Sequence, residues 1–220
     1  MSTQDVLKTL KDENVAYVDI RFTDIRGKLQ HVTVDVDLVD EDFLEEGFMF
    51  DGSSIAGWKS IENSDMKLIV DTESAYIDPF YAEKTLCVHC SIVEPDTGEA
   101  YERDPRGTAQ KAEAYLKESG IGDVAYMGPE AEFFIFDDVR FENKINKVSY
   151  EVDAVDASWN TDTEYEMGNS GHRPGLKGGY FPVNPTDDAQ DIRSEMLSTM
   201  KRIGMKTDKH HHEVASCQHE

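Results

Sequence analysis

The sequence predicts an α+β fold, in which a small, strand-rich N-terminal domain precedes a second region of strands and helices. Alternation of apolar and polar residues, typical of strands, dominates the first part of the chain, and helical spacing is much rarer there. Asp104 and Pro105 then form a helix start, because aspartate caps helices well and proline suits the first helical position. We therefore place two domains, at 1–103 and 104–220.

The elements of the first domain follow from periodicity and turn residues. A helix is predicted over 3–13, and two alternating runs joined by a turn at 24–27 predict a hairpin. Further strands are expected at 65–71 and 84–94, and the glycine- and serine-rich segment 46–60 is predicted to be a loop. The residues that carry the helix and hairpin patterns are Val6, Leu7, Leu10, Val18, Ile20, Phe22, Val32, Val34 and Val36.

The second region is predicted to hold two long helices and several strands. In order, we expect a helix over 105–120, strands at 123–127 and 130–137, a mostly irregular region at 140–184, a helix from 184 to 204 and a strand near 205–215. The last helix is expected to turn five apolar side chains inward: Ala189, Ile192, Met196, Met200 and Ile203.

The charge balance argues against polyanionic partners. The chain has 22 Lys and Arg against 45 Asp and Glu, a net charge of −23, whereas nucleic acids and anionic lipids require basic surfaces. No apolar run approaches the ~20 residues of a membrane span, and the polar start lacks a signal peptide. We therefore expect a cytoplasmic protein without nucleic-acid or membrane partners. Cys87 and Cys90 are expected to be packing residues, because strand positions three apart face opposite sides.

The segment 129–136 places two acids on a predicted strand. Glu130 and Glu132 alternate with apolar residues, so they share one face and lie ~6.6 Å apart at a rise of ~3.3 Å per residue. Apolar groups on both faces predict burial on both sides, where acids are costly unless a cation compensates them. Oxygen ligands favour Mg²⁺ or Mn²⁺. An edge strand facing water, or the acid pair of a glycosidase, are the alternatives.

A second acidic segment closes the chain. It contains three consecutive histidines at 210–212, followed by Glu213 and Glu220. Adjacent strand residues point in opposite directions, so the histidines cannot all bind one zinc ion, and we favour buried or hydrogen-bonding imidazoles. Glu213 and Glu220 can converge with the first acid pair if the two strands are neighbours.

Four motifs give the sequence a specific resemblance. The segments 50–54 (FDGSS), 128–134 (GPEAEFF), 177–182 (KGGYFP) and 211–215 (HHEVA) all resemble motifs of the glutamine synthetase family, in that family's order. The chain is most similar to the long-chain bacterial and archaeal type, from about residue 5 to its end. The resemblance implies a β-grasp-like domain at 1–103 and, at 104–220, the first part of a larger catalytic domain with an antiparallel sheet and flanking helices.

The resemblance also implies roles for the acids. Glu132, Glu213 and Glu220 would hold the tighter of two or more Mg²⁺ or Mn²⁺ ions, and Glu130 would hold a second ion beside the ATP phosphates. Asp51 would bind ammonium and accept its proton, with Ser54 in the same loop.

Three further residues are assigned by the same resemblance to the nucleotide end of the site. Lys177 and Tyr180 would line it, and Asp208 stands where the family usually has a glutamate.

The implied reaction joins ammonia to L-glutamate, consumes ATP and passes through an acyl phosphate. The family's chains are about twice as long and assemble into hexameric rings stacked as a dodecamer. We therefore expect this chain to be a fragment that is inactive alone. The alternatives are a related γ-glutamyl-amine ligase, a non-catalytic member of the same fold, and a metal-dependent hydrolase.

Overall fold

The computed structural model describes residues 1–159 and 171–220 and divides into two compact units, Met1–Tyr126 and Met127–Glu220. The domain division proposed between residues 103 and 104 remains a prediction. None of the helices in the described ranges combines the length and apolar character that would allow it to cross a membrane.

The first unit opens with helix α1, Thr3–Asp12, as predicted. Its start is fixed by a capping box: the Ser2 hydroxyl accepts from the Asp5 amide, and the Asp5 carboxylate accepts from the Ser2 amide. The inward face buries Val6 and Leu10. Local sequence therefore determines both where this helix begins and which side it buries.

A five-stranded sheet in the order β2-β1-β5-β4-β3 forms the body of this unit. β1 runs parallel to β5, and the other neighbouring pairs are antiparallel. The predicted hairpin and the two later strands are confirmed. The strands are β1 (Tyr17–Thr23), β2 (Leu29–Asp35), β3 (Phe48–Asp51), β4 (Asp65–Ile77) and β5 (Thr85–Val93).

Two short elements were not predicted. Helix α2 spans Glu41–Glu46, and β3 lies inside the segment expected to be a loop. Gly47 and Gly52 flank β3, and both are required by close packing, since an added Cβ would lie 2.2 Å from the Leu68 carbonyl oxygen and 2.4 Å from Met66 Sδ, respectively. Glycines that indicate a loop in sequence here allow a short edge strand to approach β4.

The central strands supply the core of the first unit. Val18 and Ile20 of β1, Leu86 and Val88 of β5 and Leu68 of β4 have no exposed surface. Burial of each such side chain contributes about 1.5–3 kcal/mol relative to exposure. Cys87 and Cys90 are buried free thiols on β5, and burial raises the pKa of each to about 12. They are packing residues, as predicted.

Asp19 is a fully buried acid on β1. Its carboxylate accepts hydrogen bonds from Thr33 Oγ1 at 2.6 Å and Arg21 Nε at 2.7 Å, and contacts His31 Nδ1 at 2.6 Å. Burial alone would raise the pKa of Asp19, but the bonds from Thr33, His31 and Arg21 outweigh it and lower the pKa. The carboxylate is therefore charged at neutral pH and joins β1 to β2.

Replacing Asp19 by Asn is expected to lower the free energy of unfolding by roughly 2 kcal/mol at pH 7, because Arg21 loses one of its two buried carboxylate partners and keeps only Asp78. The folded-state pKa lies below the unfolded value of about 4, so this stability is present above that pH and is lost as pH falls through the folded pKa. Urea unfolding from pH 7 to pH 3 should show the difference shrinking below about pH 4. Asp65→Asn, at an exposed position on β4, is the control, and a pH-independent difference would contradict the prediction.

Helix α3, Pro105–Glu118, follows the sheet as predicted. Asp104 caps it by accepting from the Arg106 amide at 3.0 Å. The same carboxylate also accepts from the Ile92 amide at 3.1 Å, so the cap is tied to the end of β5.

The described residues of the second unit form two small sheets and one helix. The elements are β6 (Phe133–Phe134), β7 (Asp138–Lys144), β8 (Lys147–Asp153), α4 (Gln190–Arg202) and β9 (Gln218–His219). β6 pairs with β9, and β7 forms a hairpin with β8.

Several predictions for this region were wrong. The segment 140–184 was expected to be mostly irregular, but the β7–β8 hairpin forms much of its first part. Part of the remainder, 160–170, lies outside the described residues. The segments 123–127 and 205–215, both expected to be strands, form none, and the strand predicted over 130–137 is reduced to β6. A strand requires a partner, and alternation alone does not show where a partner lies.

The inward face of α4 also differs from the prediction. Ala189 at its N-cap is buried, but Ile192 and Met196 are 49% and 39% exposed, and the helix buries Arg193 and Thr199 instead. Arg193 is only 1% exposed, and pairing of its guanidinium with Asp187 offsets much of the cost of burying its charge. The helix also begins at Gln190 rather than near residue 184.

Candidate functional site

Three segments of the chain lie side by side in the second unit. β6 pairs with β9 through Phe133 and His219, and continuing that antiparallel register by one residue sets Glu132 opposite Glu220. On the other side, the backbones of His211 and Glu220 exchange two hydrogen bonds of 3.0 Å. This pairing brings Glu132, Glu220 and His211 into line across three neighbouring segments.

His211, Glu213 and Glu220 gather into one cluster. Each offers a ligand atom within 4.8 Å of the others, and these side chains are only 10–14% exposed. His211 Nε2 lies 3.1 Å from a Glu220 oxygen, and His211 Nδ1 lies 3.5 Å from a Glu213 oxygen. Two carboxylates and one imidazole form a donor set that fits a divalent cation, and two neighbouring acids are themselves costly without one.

The first acid pair is placed differently from the prediction. Glu130 and Glu132 are exposed, so the expected burial on both faces of their strand was wrong. Within the described ranges, β6 has one partner over two residues, and Phe134 and Phe136 remain 49% and 39% exposed. Glu132 accepts from Gln218 Nε2 at 3.2 Å, but neither Glu132 nor Glu130 belongs to the cluster of His211, Glu213 and Glu220.

The sequence did not lead us to predict that His211 lies with Glu213 and Glu220 in one cluster. The three histidines face different partners: His210 contacts Ser194 and Arg193, His212 contacts Asp156, and only His211 joins the cluster. The signal that could have identified it is spacing. Residues two apart in an extended segment share a face, so His211 and Glu213 point the same way.

A buried polar layer supports the cluster. His212 is 1% exposed and directs Nε2 to Asp156 at 2.8 Å and Nδ1 to the Glu213 carbonyl at 2.6 Å. Burial lowers the pKa of His212, but these two bonds outweigh it and raise the pKa, which favours the protonated ring in which both nitrogens donate. Burial, with His212 and Arg193 nearby, lowers the pKa of His219 to about 4, so His219 is neutral.

A glycine allows a fourth segment to pack against the cluster. The Gly179 amide donates to the Val214 carbonyl at 3.1 Å, and a Cβ at this position would lie 2.5 Å from both the Glu213 carbonyl oxygen and His212 Cε1. The following residues, Tyr180 and Phe181, stack on each other and meet the His211 ring edge-on at 5.4 Å and 4.6 Å.

The three residues predicted to bind the nucleotide lie at the surface. Lys177, Tyr180 and Asp208 are all exposed. A cavity of about 370 Å³ lies nearby and is bordered by Phe181, Pro182, Lys209, His210 and His211, among others. Its wall adjoins the cation cluster at His211, and Asp208 immediately precedes Lys209 in the chain.

Asp51 and Ser54 form a separate arrangement in the first unit. Asp51 ends β3 and accepts from the Ser53 amide at 2.9 Å, the Ser53 hydroxyl at 2.6 Å and the Ser54 hydroxyl at 2.8 Å. Hydrogen bonds from Ser53 and then Ser54 lower the pKa of Asp51. The carboxylate is therefore ionised at neutral pH, exposed, and held by its own turn.

Aromatic packing holds the loop that carries Asp51. Phe22, Phe50, Trp58 and Tyr101 form a chain of ring contacts with centroids 5.4–6.1 Å apart. The Tyr101 hydroxyl donates to the Trp58 carbonyl at 2.9 Å. The loop therefore leaves the core before Asp51 and returns to it at Trp58.

Two family models match the chain. The glutamine synthetase beta-Grasp domain matches residues 14–95, and the glutamine synthetase catalytic domain matches residues 102–220. The fold of the chain, a β-grasp domain followed by the start of a catalytic domain, agrees with the predicted fold class.

Relatives and solved structures agree with these matches. A glutamine synthetase of Cereibacter sphaeroides is 78% identical over 98% of this chain and 46% of its own length, and one of Rhodobacter capsulatus is 74% identical over 100% and 50%. The cryo-EM structure of Plasmodium falciparum glutamine synthetase shares the fold, with a TM-score of 0.81 at 24% identity, over 100% of this chain and 43% of that one. The chain thus spans about half the length of the curated relatives it matches.

Proposed function

Since this chain belongs to the glutamine synthetase family, we propose that it is the N-terminal part of an enzyme that joins ammonia to L-glutamate and consumes ATP. The observation that carries the proposal is the 78% identity to a glutamine synthetase, which runs through both domains, proposed here as 1–103 and 104–220. The remaining part of the catalytic domain would come from sequence beyond these residues. A non-catalytic relative is disfavoured because Glu130, Glu132, Glu213 and Glu220 are all present.

The acids of the second unit are proposed to hold divalent cations. Glu132, Glu213 and Glu220 would bind one Mg²⁺ or Mn²⁺, and Glu130 would bind another. When bound, such ions neutralise the phosphate oxygens of ATP and so ease the approach of the anionic glutamate side chain. The assignment of Glu213 and Glu220 to one ion is supported by their clustering with His211, since the ligand atoms of all three residues lie within 4.8 Å of one another.

Asp51 is proposed to act on ammonium. Its ionised carboxylate attracts the cation and then accepts a proton, which leaves neutral ammonia with the lone pair needed to attack the activated carbonyl of γ-glutamyl phosphate. Ser54 would hold the carboxylate in position, as its 2.8 Å hydrogen bond indicates.

The nucleotide is proposed to bind beside the cation cluster, near Lys177, Tyr180 and Asp208. The cavity next to His211 supports this placement, because it lies beside the residues that would hold the phosphate-bound ions. Asp208 has a shorter side chain than the glutamate usual in the family, so its reach to the nucleotide is reduced.

The substrates, cellular location and assembly are also proposed from the family. The small-molecule partners would be L-glutamate, ammonium and ATP, in nitrogen assimilation in the cytoplasm, without nucleic-acid or membrane partners. The full-length protein would assemble into hexameric rings stacked as a dodecamer.

A chimera tests the proposed reaction. We would join this chain to the C-terminal part of the Cereibacter sphaeroides relative and measure ATP-dependent glutamine formation from glutamate with ammonium, methylamine or ethylamine. We expect activity with ammonium, and no activity from the 220-residue chain alone. Preference for an alkylamine would identify a γ-glutamyl-amine ligase, and phosphate release without ammonium would identify a hydrolase.

The same chimera tests Asp51. Asp51→Asn is expected to lower kcat/KM for ammonium by roughly 100-fold or more, because the variant can neither attract the cation nor accept its proton. Asp65→Asn, which replaces the residue paired with Asp51 in the β3–β4 register, is the matched control. Unchanged ammonium kinetics in Asp51→Asn would remove this residue from the mechanism.

A further inference from the structure

Two of the proposed cation ligands stand at the ends of one tight turn. Glu213 and Glu220 are joined by the segment 214–219, and the Glu213 amide donates to the Gln218 carbonyl at 2.7 Å. Within the turn, Cys217 adopts a left-handed backbone conformation with φ of 62°, which is uncommon for a residue other than glycine. The separation of the two carboxylates therefore depends on what holds this turn.

Asp156 is the buried group that contacts both sides of the turn. One of its carboxylate oxygens, Oδ2, accepts from the Cys217 amide at 2.6 Å and from His212 Nε2 at 2.8 Å. His212 in turn holds the Glu213 carbonyl at 2.6 Å through Nδ1. One oxygen atom thus restrains the left-handed residue of the turn and, through His212, the backbone of a cation ligand.

Packing around Asp156 leaves this arrangement little freedom. Asp156 is 6% exposed, and its neighbours Ala154 and Ala157 form a small buried cluster with Cys217. Gly179 lies against His212 on the other side, where there is no space even for a methyl group. A small shift of His212 or Cys217 would therefore move the backbone that carries Glu213 or the turn that leads to Glu220.

We propose that Asp156 is a positioning residue of the cation centre, which sets the separation of Glu213 and Glu220 through His212 and the Cys217 amide. This inference rests on the proposed function, in which those two glutamates bind a divalent ion. Asp156 itself does not belong to the cluster of ligand atoms. Residues in such supporting positions typically change metal affinity by 10–100-fold when they are lost.

The test measures Mn²⁺ binding by the chimera with the C-terminal part of the Cereibacter sphaeroides relative, using the electron paramagnetic resonance signal of free Mn²⁺. Asp156→Ala removes the shared acceptor and is expected to weaken Mn²⁺ binding by roughly 10–100-fold. Asp156→Asn retains a carbonyl oxygen that can accept both hydrogen bonds, so we expect it to restore affinity to within about fivefold of wild type.

Asp153→Ala is the matched control for loss of a buried acid. Asp153 is 3% exposed and pairs with Arg140 on the β7–β8 hairpin, so its loss should lower the melting temperature without changing the Kd for Mn²⁺. If Asp156→Ala weakened Mn²⁺ binding only through a general loss of stability, the recovery of affinity in Asp156→Asn would not be expected.

The inference would be overturned if Asp156→Ala kept the wild-type Kd, if Asp156→Asn were as weak as Asp156→Ala, or if Asp153→Ala weakened binding equally. Failure of the wild-type chimera to bind Mn²⁺ is a distinct result. It would overturn the proposed cation centre itself, and this inference with it.

Discussion

Glu220→Gln is expected to weaken Mn²⁺ binding by roughly 1,000-fold and to reduce glutamine formation by the chimera at least as strongly, because loss of a direct ligand removes several kcal/mol of charge stabilisation. Glutamine has nearly the same shape as glutamate but no negative charge. The change therefore removes half of the glutamate charge in the His211–Glu213–Glu220 cluster while leaving the turn intact.

The measurement for Glu220→Gln combines Mn²⁺ titration with thermal unfolding. Wild-type protein should melt at a higher temperature when Mn²⁺ is added, since a ligand that binds only the folded state stabilises it, and the variant should lose most of this shift. Glu195→Gln, at an exposed position on α4, is the control. Normal Mn²⁺ titration in Glu220→Gln would show that this carboxylate does not bind the ion.

Gly179→Ala is expected to destabilise the second unit by about 1–3 kcal/mol, the usual cost of overpacking, and to weaken Mn²⁺ binding at least tenfold. The new Cβ would lie 2.5 Å from the Glu213 carbonyl oxygen and 2.5 Å from His212 Cε1. Neither atom can easily move aside. The His212 ring is hydrogen-bonded to Asp156, and the Glu213 carbonyl belongs to a backbone segment that is itself hydrogen-bonded to Gln218. The backbone segment that carries Glu213 must therefore move.

A neighbouring glycine provides the comparison for Gly179→Ala. Gly175 lies in the same segment, and a Cβ there would meet no atom within 4 Å. Gly175→Ala should therefore leave both the melting temperature and the Kd for Mn²⁺ nearly unchanged. Equal effects of the two substitutions would indicate a general response of the segment to alanine and would contradict the proposed collision.

Local signals predicted the first unit well. The spacing of Val6, Leu7 and Leu10, the cap at Asp104 and the alternating hairpin are each complete within a few residues, and the structure contains the elements that they predict. β3 was missed because its flanking glycines, which serve close packing against β4, are indistinguishable from loop glycines in the sequence.

The second unit depends on contacts between distant parts of the chain. Helical spacing on α4 predicted an apolar inward face, but the structure buries Arg193, whose charge is compensated by Asp187 and whose guanidinium donates to His219 at 2.9 Å. Spacing along a helix cannot reveal that such partners exist elsewhere, so this face was assigned incorrectly.

By itself, the sequence determined the fold class, the family and the acids to be considered, because these follow from periodicity, capping and short motifs. Only the tertiary structure decided which groups meet. Gln218 contacts Glu132 across 86 residues of sequence, and His212 contacts Asp156 across 56. Strand pairing at such separations depends on the packing of the whole unit, and it is the pairing of β6 with β9 that sets Glu132 opposite Glu220.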